Sequence, residues 1–136
     1  FRMKHLEVSC GIIIRDQQVL CVQRNIGKYD DVSLKWEFPG GKLEAGENAE
    51  QALRRELLEE LDIDIDESNV KYFCTVSHQY PDFDITLYCY ICNVKFINVN
   101  LKEHIDMKWV NADTIFELDW AAADLTVVKA LVAKGW

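Results

Sequence analysis

The sequence predicts an α/β (α+β) layered domain in which a mixed β-sheet lies between helices. Two observations point there. Strand-like runs of β-branched and apolar residues outnumber the helical patterns, and the helices are scattered among the strands rather than alternating strictly with them. A length of 136 residues, 49% of them hydrophobic and 28% charged, suits one soluble globular domain spanning 1–136 with a sizeable core.

The elements follow in chain order. "HLEVSCGIIIR" (5–15) and "QVLCVQR" (18–24) are strand-like, and "RDQQ" between them reads as a short turn, so the two form a hairpin. Residues 25–35 are polar and mobile in character. A helix starts near Asn48, because Asn48 and Gln51 have the spacing of a capping box, and Ala49, Leu53, Leu57 and Leu61 give it a buried stripe. It ends near Asp62. Strands follow at 70–79, 84–96 and 105–110, then a short helix around 112–118 and a C-terminal helix over 122–134.

Charge and cysteine usage narrow the function. The net charge of −8 excludes a general nucleic-acid surface, which needs a basic stripe. Residues 40–62 hold seven acids against three bases, a net of −4, so half of the excess is local. No apolar run reaches the length of a membrane span, and "FRMKHLEV" lacks the layout of a secretory signal. Phe1 and Arg2, ahead of Met3, read as residues added before the start. Five cysteines, mostly in strand-like runs, suit a reducing cytosol. The CxxC of "CYIC" (89–92) lies in an extended run that sends the two thiols to opposite faces, so it reads as core packing.

The helix after Asn48 carries the chemistry. With Leu53 at zero, Leu57 and Leu61 lie at about 40° and 80°, and Glu59, Glu56 and Glu60 at about 240°, 300° and 340°. The three carboxylates share a sector beside the buried stripe, with Ala49 and Ala52 a turn or two earlier leaving room for a ligand. Clustered carboxylates repel one another, and a hard divalent cation among them turns that repulsion into binding. A solvated acidic face is the plain alternative. The upstream "FPGGKLEAGE" weighs against it, because Gly40 and Gly41 let the backbone approach metal or phosphate closely.

Gly41, Glu47, Arg55, Glu56, Leu57, Glu59, Glu60 and Ile63 stand at the spacing of the Nudix box, and the stretch 41–63 resembles that motif. Asp62 departs from it, since the family usually has glycine there. Asp takes a left-handed backbone less easily than Gly, so the departure bears on the local turn and leaves the metal ligands untouched. The resemblance continues through the opening hairpin, "WEFPGGK" and "DITLYCYICNV", from about residue 5 to 133, and is nearest to the MutT and CTP pyrophosphohydrolase-like group.

The resemblance implies a Nudix-type α/β/α sandwich and a cytoplasmic enzyme, monomer or homodimer, acting on neither nucleic-acid duplex nor membrane. It would cleave a nucleoside triphosphate to monophosphate and pyrophosphate with Mg²⁺, or Mn²⁺. Carried over, Glu56, Glu59, Glu60, Glu103 and the Gly40 carbonyl hold metal, and Glu56 or Glu103 serves as base. Arg55 supports the carboxylates, while Gly41 and Glu47 support the box. Arg24 and Lys42 meet phosphate, ahead of Lys28 and Lys35. Glu103 also reads as an exposed loop acid, and His104 beside it as solvent-facing. Asp124 either reads the base or caps the C-terminal helix. An ionised Asp only accepts hydrogen bonds, which favours the cytosine amino group or a guanine-like donor edge. Phe38, Tyr80 and Trp120 are stacking or packing residues. Hydrolysis of a diphosphate such as ADP-ribose or a dinucleoside polyphosphate, and a non-catalytic nucleotide-binding module, are the alternatives.

Overall fold

A computed structural model describes residues 3–136, so Phe1 and Arg2 lie outside the described residues. In chain order it contains β1 (Lys4–Arg15), β2 (Gln18–Gln23), β3 (Trp36–Glu37), β4 (Gly40–Lys42), α1 (Ala49–Leu61), β5 (Val70–Gln79), β6 (Phe83–Asn93), β7 (Asp106–Val110) and α2 (Ala122–Lys134). The expected hairpin forms through Asp16 and Gln17, both at positive φ (51° and 63°), which matches the twist of a tight two-residue connection.

The sheet is mixed. β1 runs parallel to β6 from Lys4↔Phe83 to Ile14↔Asn93, β5 pairs antiparallel with β6, and β7 pairs antiparallel with β2. β1 and β2 are paired only beside their turn, at Ile14↔Val19 and Arg15↔Gln18. Beyond it they splay, and residues 36–42 enter the fork. β3 takes the β2 side at Val22↔Glu37, and β4 takes the β1 side at Cys10↔Gly40 and Ser9↔Gly41. The Pro39 carbonyl accepts from the Gly11 amide at 2.7 Å, which seals the apex.

Side chains alternate between two cores, one under each helix. Leu53, Leu57 and Leu61 of α1 pack with Ile13, Leu20 and Cys92, and Val127, Val128 and Leu131 of α2 pack with Ile12, Val19, Cys21 and Cys89. Each fully buried leucine contributes about 1.5–3 kcal/mol, so α1 is held by its apolar stripe and the acids beside that stripe are carried along. Cys89 and Cys92 fall in opposite cores, as the two-residue strand period requires, and all five cysteines are free thiols.

Some expectations change. β3 and β4 are too short and too rich in Gly and Pro neighbours to show as strands in sequence; the partners in the fork define them. β6 stops at Asn93 rather than running on to Phe96, because its partner β1 has been used up by Ile14. The helix read at 112–118 is a single 3-10 turn, Ile115–Glu117. The N-cap of α2 is Ala121, with no side-chain bond, and Asp124 is already inside the first turn. Asp124 is therefore not the cap.

Candidate functional site

The site begins with how α1 is fixed at its ends. At its start the Asn48 side chain accepts from the Gln51 amide at 2.8 Å, and the Gln51 side chain accepts from the Asn48 amide at 3.0 Å. This reciprocal pair satisfies two orphan donors of the first turn. At its end Asp62 adopts the left-handed conformation (φ 56°, ψ 33°), and its amide bonds back to Leu57 and Leu58.

Between these ends Glu56, Glu59 and Glu60 each present an oxygen, all within 4.8 Å of one another. Burial raises the Glu60 carboxyl first, followed by the charges of Glu103 and Glu56. Glu103 of the β6–β7 connection is thus a fourth acid at the cluster. Arg55 organises the surroundings. Its Nε donates to Glu47 at 2.6 Å, its Nη1 to Glu56 at 2.8 Å and Glu59 at 3.1 Å, and its Nη2 to the Lys42 carbonyl at 3.0 Å. One guanidinium therefore ties the glycine-rich loop to the helix. Glu47 is held below its usual range, chiefly by that hydrogen bond.

The glycines set the distance between loop and helix. A Cβ on Gly40 would overlap the Ser9 carbonyl of β1, and one on Gly41 would overlap the Glu56 carboxylate. Only bare backbone lets β4 lie between β1 and α1. The donor set is then carboxylate oxygens with peptide carbonyls nearby, the chemistry preferred by hard cations such as Mg²⁺ or Mn²⁺. Three carboxylates within 4.8 Å of one another, with Glu103 beside Glu60, also leave repulsion for a cation to relieve. The residues fit a divalent metal.

The cluster opens onto a cleft of about 520 Å³ in the fork. Glu56, Glu60 and Glu103 line one end with Gly40, Gly41 and Lys42; Glu59 sits at the exposed edge, outside the lining. The other end is aromatic and aliphatic, with Tyr29, Phe38, Tyr80, Phe83 and Leu87. Tyr80 and Phe83 stack with centroids 4.9 Å apart. Phe38 and Tyr80 are both buried yet reach the lining, whereas Trp120 packs behind Phe38. Ala52 is fully buried in the core and Ala49 does not line the cleft, so the room above the acids comes from the glycines instead.

Asp124 lies at this apolar end, buried, its Oδ2 accepting from the Phe38 amide at 3.0 Å. Burial, then the nearby Glu37 charge, push its carboxyl up to about 8. Burial and the neighbouring acid thus work against the ionised, accept-only form and towards a carboxyl that can also donate.

The lysines and arginines distribute unevenly. Arg24 lines the cleft and bonds Glu37 at 3.3 Å. Lys42 lines it beside the acids. Lys28 lies over the Tyr29 ring and Lys35 pairs with Asp119 at 2.9 Å, and neither is among the lining residues. One expectation changes here. His104 is not solvent-facing: it is mostly buried, lines the cleft, and donates Nε2–H to Glu37 at 3.0 Å. Glu37, which bonds both Arg24 and His104, is a further polar residue of the cleft, and a single acid between two large aromatics in "WEFPGG" is its signal in the sequence.

Comparison with known proteins shows the family and the fold. The family described as NUDIX domain matches residues 3–131. The CTP pyrophosphohydrolase of Escherichia coli (strain K12) is 35% identical over 96% of this chain and 94% of its own. The 8-oxo-dGTP diphosphatase of Proteus vulgaris is 42% identical over 62% of this chain and 72% of its own. Among solved structures, the solution structure of the E. coli ORF135 protein superposes with a TM-score of 0.79 at 32% identity, covering 96% of this chain and 91% of the other.

Proposed function

The chain belongs to the Nudix family of hydrolases, and on that premise we propose that it is a Mg²⁺-dependent nucleoside triphosphate pyrophosphohydrolase acting on cytidine-type nucleotides in the cytoplasmic pool. The observation that carries this reading is one cleft with an acidic, glycine-floored end and an aromatic end closed by Asp124. Triphosphate fits the first end and a base the second. Among relatives that align along nearly their whole length, a CTP pyrophosphohydrolase is 35% identical and an 8-oxo-dGTP diphosphatase of Buchnera aphidicola 31%, and the higher identity favours cytosine over 8-oxoguanine.

In this reading Glu56, Glu59, Glu60, Glu103 and the Gly40 carbonyl hold the cation. When bound, it neutralises the triphosphate and makes water a nucleophile at neutral pH. The residues of the chain do the remaining work. Arg55 fixes one oxygen each of Glu56 and Glu59 and so aims the others. Lys42 and Arg24 draw the phosphate chain along the floor of the fork. Glu56 or Glu103, where its carboxylate is not taken up as a ligand, would accept the proton of the attacking water. Phe38 and Tyr80 flank the base, and protonated Asp124 offers O–H to an acceptor such as the cytosine ring nitrogen.

The test is pyrophosphate release from CTP, dCTP and 8-oxo-dGTP, with ADP-ribose and diadenosine polyphosphates alongside. Metal-dependent turnover is expected for CTP and dCTP above the rest. Turnover of none of the triphosphates sinks the reading, and preference for ADP-ribose moves the chain to the diphosphate branch. Glu60→Gln, with the fold retained, should lower the rate about a hundredfold or more, because it removes a charged ligand from the cation.

A further inference from the structure

Asp62 stands where the Nudix box has glycine, and two features make it an unfavourable choice there. It is a non-glycine residue at φ 56°, and it places a carboxylate at the negative end of α1, whose last turn contains no basic residue. Both costs are offset from one segment, the connection between β6 and β7. Lys102 Nζ donates to Asp62 Oδ1 at 2.7 Å and also to the Glu59 carbonyl at 2.9 Å, supplying the cation that the helix end lacks. Asn100 Nδ2 donates to Asp62 Oδ2 at 3.0 Å, and the Asn100 amide bonds the Leu61 carbonyl at 3.0 Å.

Both carboxylate oxygens of Asp62 are thus spent on residues 100 and 102. The next residue is Glu103. Its connection is irregular backbone from Val94 to Ile105, anchored at its ends by Val94 N–H to the Ile14 carbonyl and Ile105 N–H to the Gln23 carbonyl. Within it, Asp62 provides a fixed point one residue from the acid that meets Glu60.

We propose that Asp62, acting through Lys102 and Asn100, is a positioning residue that holds Glu103 against the α1 carboxylates and so tightens the divalent-cation site. The proposal rests on reading that cluster as a metal site. The Asp62–Lys102 pair is about half exposed on both sides, so its contribution to global stability is small. Its effect lies in preorganisation, where the outer contacts that aim a ligand typically change metal affinity by roughly 10–100-fold.

Mn²⁺ binding to the whole chain without nucleotide, followed by electron paramagnetic resonance or calorimetry, separates this from plain electrostatics. Asp62→Asn removes a negative charge near the cluster and Lys102→Met removes a positive one. Charge alone predicts weaker binding in the first and tighter binding in the second. The clamp predicts weaker binding in both, by about tenfold, with melting temperatures close to wild type and no further loss in the double variant. Lys102→Arg should keep near-native affinity. Tighter or unchanged binding in a folded Lys102→Met variant overturns the proposal. Wild-type protein that binds no Mn²⁺ overturns the metal reading itself, a different failure.

Discussion

At the level of single residues, the α1 carboxylates and Asp124 are fixed by different physics. Glu56, Glu59 and Glu60 are fixed by helical periodicity relative to Leu53, Leu57 and Leu61, so their shared sector follows from spacing alone. Asp124 has no such frame. Its role depends on where α2 starts, and Ala121 rather than a capping side chain begins that helix. Burial then decides its protonation, which no local pattern encodes. A test follows from the direction of the shift. Its carboxyl moves from 3.8 in the reference state to about 8 in the fold. Between those values the native state keeps a proton that the unfolded chain has released, so this group costs stability increasingly as pH rises from about 4 to 8, and the cost is constant above that window. Asp124→Asn preserves an acceptor for the Phe38 amide without an ionisable group. Its melting temperature should gain on wild type by several degrees as pH rises through the window, in parallel thermal melts. A constant difference from pH 4 to 8 would mean that Asp124 ionises normally.

Elements divide in a similar way. α1 announces itself by its capping box and its stripe, and β1, β2, β5 and β6 by dense apolar runs. β3 and β4 have neither signal, since their strand character exists only because β1 and β2 splay and need partners. Yet that fork positions the site, and its two glycines make opposite demands. Gly40→Ala pushes a Cβ into the backbone of β1, and strain of this kind costs about 1–3 kcal/mol of stability. Gly41→Ala meets the Glu56 side chain from Cγ to the carboxylate, which can swing aside where backbone cannot. The fold should then survive while the carboxylate moves by about an ångström, a misplacement worth roughly a hundredfold in turnover. Urea titrations and steady-state rates on the pair check this. Equal loss of stability in both variants would show that β4 tolerates a side chain at neither glycine, independent of Glu56.

At the scale of the whole molecule, the charge distribution links metal binding to folding. The net charge is −8, and half of it is concentrated in the loop and helix that pack across β1. The two cores hold α1 against the sheet firmly enough to keep Glu56, Glu59 and Glu60 within 4.8 Å of one another, with Arg55 neutralising only part of their charge. In the unfolded chain those acids separate and lose any common ligand. A divalent cation therefore binds the native state far better than the unfolded one, and must raise stability by mass action. At a hundredfold excess over its dissociation constant the gain is about 2.7 kcal/mol, enough to raise the melting temperature of a chain this size by several degrees. Melts in Mg²⁺ and in chelator should show that shift, growing with the logarithm of metal concentration. Glu60→Gln should remove most of it while melting like wild type in chelator, or slightly higher, because burial and its acidic neighbours already make the Glu60 charge unfavourable. A shift of equal size in the variant would assign the stabilisation to diffuse screening of the −8 charge, and monovalent salt at matched ionic strength would then reproduce it.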